Sequence, residues 1–572
     1  MNTIDKVLKK YFGHDEFLPG QRKAIESILG GNDTMAIFPT GGGKSICYQI
    51  PALLFEGTTI VISPLISLMK DQVDELLKQG IPSTYISSAI SDREIDRRIE
   101  EMKHDRYKIV YIAPERFYSD GFIDALTHVS IPFVAIDEAH CISQWGHNFR
   151  PAYLMIRKFI SHIGNPVLAA FTATANSKVQ RDIVDLLAMK DCNIYINSFD
   201  RPNLQFKVEK KVNKKGYILK FIRSHPGASG IIYASTRKNV EKLFMFLKDK
   251  GIDVGMYHGG LSSTTRNLMQ EEFIAGDVKV MVATNAFGMG IDKEDVRYVI
   301  HYNMPKSVED YYQEAGRAGR DGKTAQCILL YSDEDMSLNK FIINANYPPV
   351  KLVKTIYRRV KRRGENGIYL NALINSYSIS HYTVESAIRK LVEHNYIRVR
   401  AGFAYIASNK PFELTQESID KHKQVELDKL SKMQEYCQGE KCLRLYILNY
   451  FNEEADFKKC YNCSVCGIGM SSKENEQLDR FLEDLFADDN VRKGSKADED
   501  LLKKLKTWRE GIADRLEDST HISLDDMVLR EIATLKPMNK NQLLEVKGFT
   551  RKDVEYYGDA ILEQIYRHIR EG

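Results

Sequence analysis

Several things are scarce in this sequence, and each scarcity excludes something. No apolar run approaches the ~20 residues that a membrane span needs, so a membrane partner is not expected. The opening Met1-Asn2-Thr3-Ile4-Asp5-Lys6 lacks a signal-peptide pattern. The expected location is therefore the cytoplasm. Net charge is only +4 from 81 basic and 77 acidic side chains, so any nucleic-acid surface must be local. The nine cysteines are scattered except for one cluster. That argues against a disulfide framework and for a reduced compartment with a bound metal. Tryptophan occurs twice. What is abundant is ordinary: 43% of the 572 residues are apolar, which suits a globular chain of about four domains.

The chain is organised around Pro39-Thr40-Gly41-Gly42-Gly43-Lys44-Ser45. Thr34–Phe38 reads as a buried strand before it, and Ile46–Ile50 as the start of a helix after it. Glycines let backbone N–H groups wrap phosphates, and a helix N-terminus adds positive potential. In a phosphate loop Thr40, Gly41, Gly42 and Gly43 form the cradle. Lys44 reaches the β- and γ-phosphates, and Ser45 ligates Mg²⁺. The pattern lacks its first glycine, where Phe38 stands. Residues 7–30 contain a helical pattern ending in Gly30-Gly31, and just before it lies Phe17-Leu18-Pro19-Gly20-Gln21. The Gln21 amide can donate and accept, and so can read an adenine edge.

Apolar strands then alternate with amphipathic stretches: Ile60–Ile62, Ile109–Ile112, Phe133–Ile136 and Val167–Ala170. This indicates a doubly wound parallel sheet with ligands beyond the strand C-terminal ends. Asp137 and Glu138 end the third of these strands. Asp137 would hold Mg²⁺, directly or through water, and Glu138 would activate the attacking water. The loop that follows carries Trp145, His147, Phe149 and Arg150. Aromatics with an arginine on a loop suit stacking on single-stranded bases.

After a linker at Ser198–Asn203, a second α/β set begins, with strands at Gly230–Ala234 and Val278–Ala283. A second phosphate loop is missing. Instead Gln313–Gly322 sets Arg317 and Arg320 three apart, expected on one helix face. There they can act as arginine fingers across a cleft.

Together, Thr40–Ser45, Asp137–His140, Thr172–Ala175 and Gln313–Gly322 resemble the motifs of superfamily 2 helicases. The loop Ser143–Pro151 is similar to the aromatic-rich loop that separates the RecQ family from DEAD-box RNA helicases. The resemblance covers residues 1–345. It implies two tandem RecA-like parallel-sheet lobes (1–200, ATP-binding, and 201–345), ATP-driven 3′→5′ translocation on single-stranded DNA, and unwinding of forked or duplex DNA. It further implies Gln21 as the adenine reader, and Lys44, Ser45, Asp137 and Glu138 as the ATPase centre. Arg317 and Arg320 fall in its finger region. A nucleoid-associated bacterial monomer, with a single-strand-binding protein and a topoisomerase as partners, is part of the same implication. In the family an arginine stands where Leu18 stands here.

Residues 346–410 look inserted. Lys351–Arg363 is a basic helix that includes Arg358, Arg359 and Arg362. Helices at Asn371–Ser376 and Thr383–Glu393 follow, then a hairpin from Tyr396 to Ile406. Three helices and a hairpin resemble a winged helix, a duplex-binding form. Phe403 and Tyr405 share one face of their strand and either stack on a terminal base pair or pack the wing. Within 411–468, Cys442 and Cys460-x-x-Cys463-x-x-Cys466 supply four thiolates for tetrahedral Zn²⁺, with Cys437 as a possible substitute ligand. This stretch resembles the RecQ zinc module, which in the family precedes the winged helix. An acidic linker (469–496) leads to a helical bundle (497–572) that resembles the helicase-and-RNase-D C-terminal (HRDC) domain. Two rival readings stay open: an RNA helicase of the same superfamily, and a nucleic-acid-binding scaffold with an inactive motor.

Overall fold

A computed structural model describes residues 3–39, 41–143, 145–146, 149–288, 293–408, 410–466, 498–513, 524–538, 540–544, 546, 548–549 and 551–571. Thr40, His147 and the acidic stretch 469–496 lie outside the described residues. The chain divides into two compact units.

The first unit is built on a parallel sheet of seven strands among the described residues, β1 (Thr34–Ile37), β2 (Thr59–Ile62), β3 (Ser83–Ile86), β4 (Ile109–Ile112), β5 (Phe133–Ile136), β6 (Val167–Thr172) and β7 (Asn193–Ile196). Their order is β3-β4-β2-β5-β6-β1-β7. The inner strands β1, β2, β4 and β5 are buried along their whole length. That is why they read as continuous apolar runs rather than alternating ones. Ser83-Thr84-Tyr85-Ile86 and Asn193-Ile194-Tyr195-Ile196 form the two edges. Their mixed polar composition hid them from the sequence pattern.

The second unit carries a parallel sheet of β8 (Leu204–Lys210), β9 (Ser229–Tyr233), β10 (Val254–Tyr257), β11 (Val280–Ala283), β12 (Val296–His301) and β13 (Ala325–Tyr331). Its order is β10-β11-β9-β12-β13-β8. The helices Glu499–Ala513, Asp526–Leu535, Lys540–Leu543 and Arg551–Glu571 also belong to this unit.

Residues 333–460 belong to the first unit. Helices Val350–Arg363, Leu370–Ile374 and His381–Glu393 share a core of Val353, Ile356, Leu373, Val384 and Leu391 with a small antiparallel sheet. That sheet contains β14 (Ile368–Tyr369), β15 (Ile397–Arg400) and β16 (Phe403–Ile406), in the order β14-β16-β15. Long helix Gln416–Gln438 and short helix Leu443–Tyr450 follow.

The helical pattern that ends at Gly30-Gly31 is helix Gln21–Leu29, and the chain before it is broken. A π-turn at Leu8–Phe12 stops at Gly13 (φ 72°), and the helix resumes only at Gln21. The break leaves Phe17–Gly20 as a loop. One local expectation is corrected: Arg317 and Arg320 are not on a helix. Helix Val308–Ala315 ends before them, and Gly319 turns the chain at φ 58°.

Candidate nucleotide site, nucleic-acid loop and metal centre

The phosphate loop leaves the C-terminal end of β1. Phe38 still continues the sheet: its N–H donates to the Thr172 carbonyl at 3.1 Å and its ring is fully buried. A glycine is therefore not required there, because the sharp turning starts later. Gly41 (φ 84°) and Gly43 (φ 65°) make it, and a Cβ on Gly43 would sit 2.2 Å from Gln21 Nε2. The helix Lys44–Leu54 starts without a side-chain cap, so its first N–H groups face outward, as an anion site requires. Lys44 Nζ donates to the Phe38 carbonyl at 3.3 Å. Gln21 is buried beneath the loop. It accepts from Leu18 N–H at 2.8 Å and donates to the Gly43 carbonyl at 2.9 Å. Leu18 itself is 48% exposed.

Asp137 and Glu138 leave the end of β5, which pairs with β6, which pairs with β1. The acids and the phosphate loop thus flank Thr172 at the end of β6, in the crevice where such sheets bind ligands. Glu138 is held in the left-handed region (φ 47°, ψ 44°), a conformation that costs a non-glycine residue and occurs at functional sites. Its N–H donates to Asp137 Oδ1 at 2.9 Å. Tyr153 Oη donates to the Asp137 carbonyl at 2.9 Å. His140 Nδ1 lies 2.9 Å from Thr172 Oγ1 and 3.2 Å from Glu138 Oε2. Burial, and then the charge of Glu138, push the Asp137 carboxyl up to about 7, against the pull of Lys44. Two adjacent acidic side chains at a strand end supply the oxygen ligands that a divalent cation takes. Ser45 is the second residue of the helix Lys44–Leu54, next to Lys44. Sequence reasoning missed Tyr153, which carries no local motif.

On the second unit, Arg317 is buried and donates to the Gly288 carbonyl, while Arg320 is half-buried.

The aromatic-rich loop is held from two sides of the first unit. Ser143 Oγ donates to Asp182 at 2.6 Å and accepts from Trp145 N–H at 3.1 Å. Lys178 and Lys421 lie over the Trp145 ring. Lys429, buried in helix Gln416–Gln438, donates to the Gly146 carbonyl at 2.9 Å. Phe149 meets the His422 ring edge-on at 5.6 Å. Arg150 donates to the Pro64 carbonyl at 2.8 Å, which ties the loop to the chain beyond β2. Lys429 and His422 lie more than 270 residues from the loop, and nothing in the sequence connects them to it.

The basic helix buries Val353, Ile356, Tyr357 and Val360 and exposes every one of its lysines and arginines. Arg359 donates to Ser376 Oγ at 2.5 Å and lies over Tyr377; Arg358 and Arg362 are exposed. Phe403 and Tyr405 lie together on the hairpin face opposite buried Ala404, across from Arg400 and Arg398.

The thiol sulfurs of Cys442, Cys460, Cys463 and Cys466 all lie within 4.8 Å of one another. A tetrahedral zinc with bonds of about 2.3 Å needs sulfurs about 3.8 Å apart, so the set fits Zn²⁺. Cys437 is buried in the preceding helix and is not one of the four.

Comparison with known proteins gives four family matches: DEAD/DEAH box helicase over residues 18–183, helicase conserved C-terminal domain over 213–322, RecQ zinc-binding over 389–467 and HRDC domain over 498–565. The zinc-binding match begins inside the stretch read as an insert. The chain is 34% identical to the ATP-dependent DNA helicase RecQ of Bacillus subtilis, covering 100% of this chain and 99% of that one. Against the Pasteurella multocida protein of the same name it is 32% identical, covering 99% and 94%. Among solved structures, the DUF1998 helicase MrfA bound to DNA superposes with a TM-score of 0.51 at 18% identity, over 72% of this chain and 63% of that one. That likeness concerns the fold alone. Among the described residues, no helix is long and apolar enough to cross a membrane.

Proposed function

The chain belongs to the RecQ family of ATP-dependent DNA helicases, and we propose that it hydrolyses ATP to translocate 3′→5′ on single-stranded DNA and unwind forked or duplex DNA in repair, recombination or fork processing. The observation that carries this reading is continuity. The acid pair Asp137–Glu138 runs directly into the aromatic loop, and Arg150 and Lys429 brace that loop. DNA bound at Trp145 and Phe149 can therefore move the residue that orients the attacking water.

In this reading Gln21 holds adenine, and residues 40–45 with Lys44 hold the phosphates. Mg²⁺ on Ser45 and Asp137 would neutralise charge developing on the transferred phosphoryl group. Glu138 takes the proton from the attacking water, with the His140 ring beside it. Arg317 and Arg320 act as fingers. His147 joins Trp145, Phe149 and Arg150 on the DNA strand, while Arg358, Arg359 and Arg362 serve duplex phosphates. The domain limits follow the sequence reading: 1–200, 201–345, 346–410, 411–468, 469–496 and 497–572. A monomer in the cytoplasm, associated with the nucleoid, with a single-strand-binding protein and a topoisomerase as partners, rests on the family alone.

The test is ATPase activity with single-stranded DNA or RNA, together with strand displacement. Stimulation by DNA and displacement of a DNA strand are expected. Stimulation by RNA alone would favour the RNA-helicase reading. Binding without hydrolysis would favour the scaffold.

A further inference from the structure

Between β7 and β8 runs Ser198-Phe199-Asp200-Arg201-Pro202-Asn203. A segment that merely tethers two domains is expected to be exposed, polar and crossed by few contacts. This one is gripped. Glu453 accepts from Ser198 Oγ at 2.5 Å and from Phe199 N–H at 2.6 Å. Arg444, only 4% exposed, donates to the Asp200 carboxylate and, at 3.4 Å, to the Pro202 carbonyl. The buried Phe199 ring stacks on Phe451 at 4.5 Å. Tyr312 Oη donates to the Phe199 carbonyl at 2.8 Å.

Three of these partners, Arg444, Phe451 and Glu453, come from helix Leu443–Tyr450 and the turn after it. Cys442 opens that helix, accepting from Tyr446 N–H at 2.9 Å. Within the second unit, the residues around Cys463 hold β8 in the same manner. Asn462 Nδ2 donates to the Leu204 carbonyl at 3.2 Å, Ser464 N–H to the Phe206 carbonyl at 2.9 Å, and Val208 N–H to Ser464 Oγ at 3.2 Å. The helix that Cys442 opens and the turn after it therefore hold the tether, and the residues flanking Cys463 hold the strand that follows it.

We infer that the zinc module is the seat of the tether between the two sheets, with Arg444, Phe451 and Glu453 as positioning residues that fix the path of Ser198–Pro202. The bonds to Glu453 and Arg444 are charge-assisted, the strong kind, and all but that of Ser198 are part-buried. A fixed tether converts an ATP-driven change in one sheet into a defined displacement of the other. A slack tether lets part of that change dissipate. The helicase reading is needed only for this last step. Loosening the grip should leave ATP binding alone, because Gln21 and Lys44 bond instead to Leu18, Gly43 and Phe38.

The experiment uses the full chain with its zinc. Hydrogen exchange is followed at the Phe199 and Asp200 amides in the wild type, in Glu453→Ala and after zinc chelation. Zinc content, ATP KM and kcat, and base pairs opened per ATP are measured in parallel. Glu453→Ala should keep its zinc, exchange these amides at least tenfold faster, leave KM within about twofold, and open several-fold fewer base pairs per ATP. Chelation should release the same amides. Arg444→Asp and Asp200→Arg should each lower unwinding per ATP, and the double swap should recover part of it. Unchanged exchange in Glu453→Ala, or no recovery in the swap, would overturn the grip. Faster exchange with unwinding per ATP unchanged would overturn its role in coupling. A wild type that unwinds nothing would fail the helicase reading, and the exchange result would still decide the grip.

Discussion

The Gln21 amide nitrogen donates to the Gly43 carbonyl at 2.9 Å, which locks the loop Phe17–Gly20 to the phosphate loop. With Leu18 N–H on its oxygen, the amide keeps one proton and one lone pair for an adenine edge. Leu18 lies half-exposed beside this pair and offers no guanidinium to cover a base. Leu18→Arg should therefore lower the KM for ATP two- to fivefold, equivalent to a cation–π contact of about 0.5–1 kcal/mol. Steady-state kinetics across ATP concentration decide it. An unchanged or raised KM counts against adenine sitting there.

Trp145 is half-buried in a loop anchored at Ser143, Gly146 and Arg150. Removing its ring leaves those anchors in place. Trp145→Ala should raise the DNA concentration for half-maximal ATPase by about five- to a hundredfold, matching the roughly 1–3 kcal/mol of one stacked base. Basal hydrolysis should change little. Equal losses with and without DNA would mean that the ring supports the ATPase fold and not the DNA.

Purified protein should contain one zinc per chain. Cys463→Ser should lose it, along with solubility or several kcal/mol of stability, on the order of what structural zinc supplies to small modules. Cys437→Ser should retain it, since Cys437 lies outside the group of four. Elemental analysis of the two variants checks both statements. Zinc lost from Cys437→Ser and kept by Cys463→Ser would reassign the ligands.

On the basic helix Arg358, Arg359 and Arg362 are all exposed, and Arg359 alone of the three also meets Ser376 and Tyr377. Arg358→Ala/Arg362→Ala should weaken forked-DNA binding and flatten its logarithmic salt dependence by about two units of slope. ATPase stimulated by single strands should be spared. Fork binding measured from low to moderate salt tests this, and an unchanged slope would make the helix a structural spacer.

Much of this was legible in the sequence because the chemistry is local. A phosphate loop needs its glycines and lysine within seven residues, and the acid pair must end a strand. Both therefore appear as contiguous motifs. The inner strands were legible because they are buried on both faces, and the edge strands were not, because they mix polar and apolar residues: β3 buries Ser83 and Thr84, while β7 exposes Ile194 and Ile196. Arg317 and Arg320 were read onto a helix face, and they lie beyond the helix end. A glycine every third residue from Gly316 to Gly322 ends the helix before Arg317. The contacts of Lys429 with Gly146, and of Glu453 and Arg444 with the tether, join residues more than 240 positions apart. No local pattern encodes such pairs. Phe38 shows the reverse: its departure from the usual glycine became harmless once its backbone was seen bonded to β6.

The central claim is that ATP hydrolysis at Lys44 drives DNA strand separation in one direction. Strand displacement on duplexes with a 3′ or a 5′ single-stranded tail, with ATP and Mg²⁺, tests it most directly when wild type and Lys44→Ala are run together. The account predicts displacement by the wild type from the 3′-tailed duplex and little from the 5′-tailed one. Lys44→Ala should bind the same DNA with near-normal affinity and separate no strands, at least a hundredfold slower. Displacement by Lys44→Ala at a rate near the wild type would contradict the motor assignment, and a preference for the 5′ tail would contradict the direction.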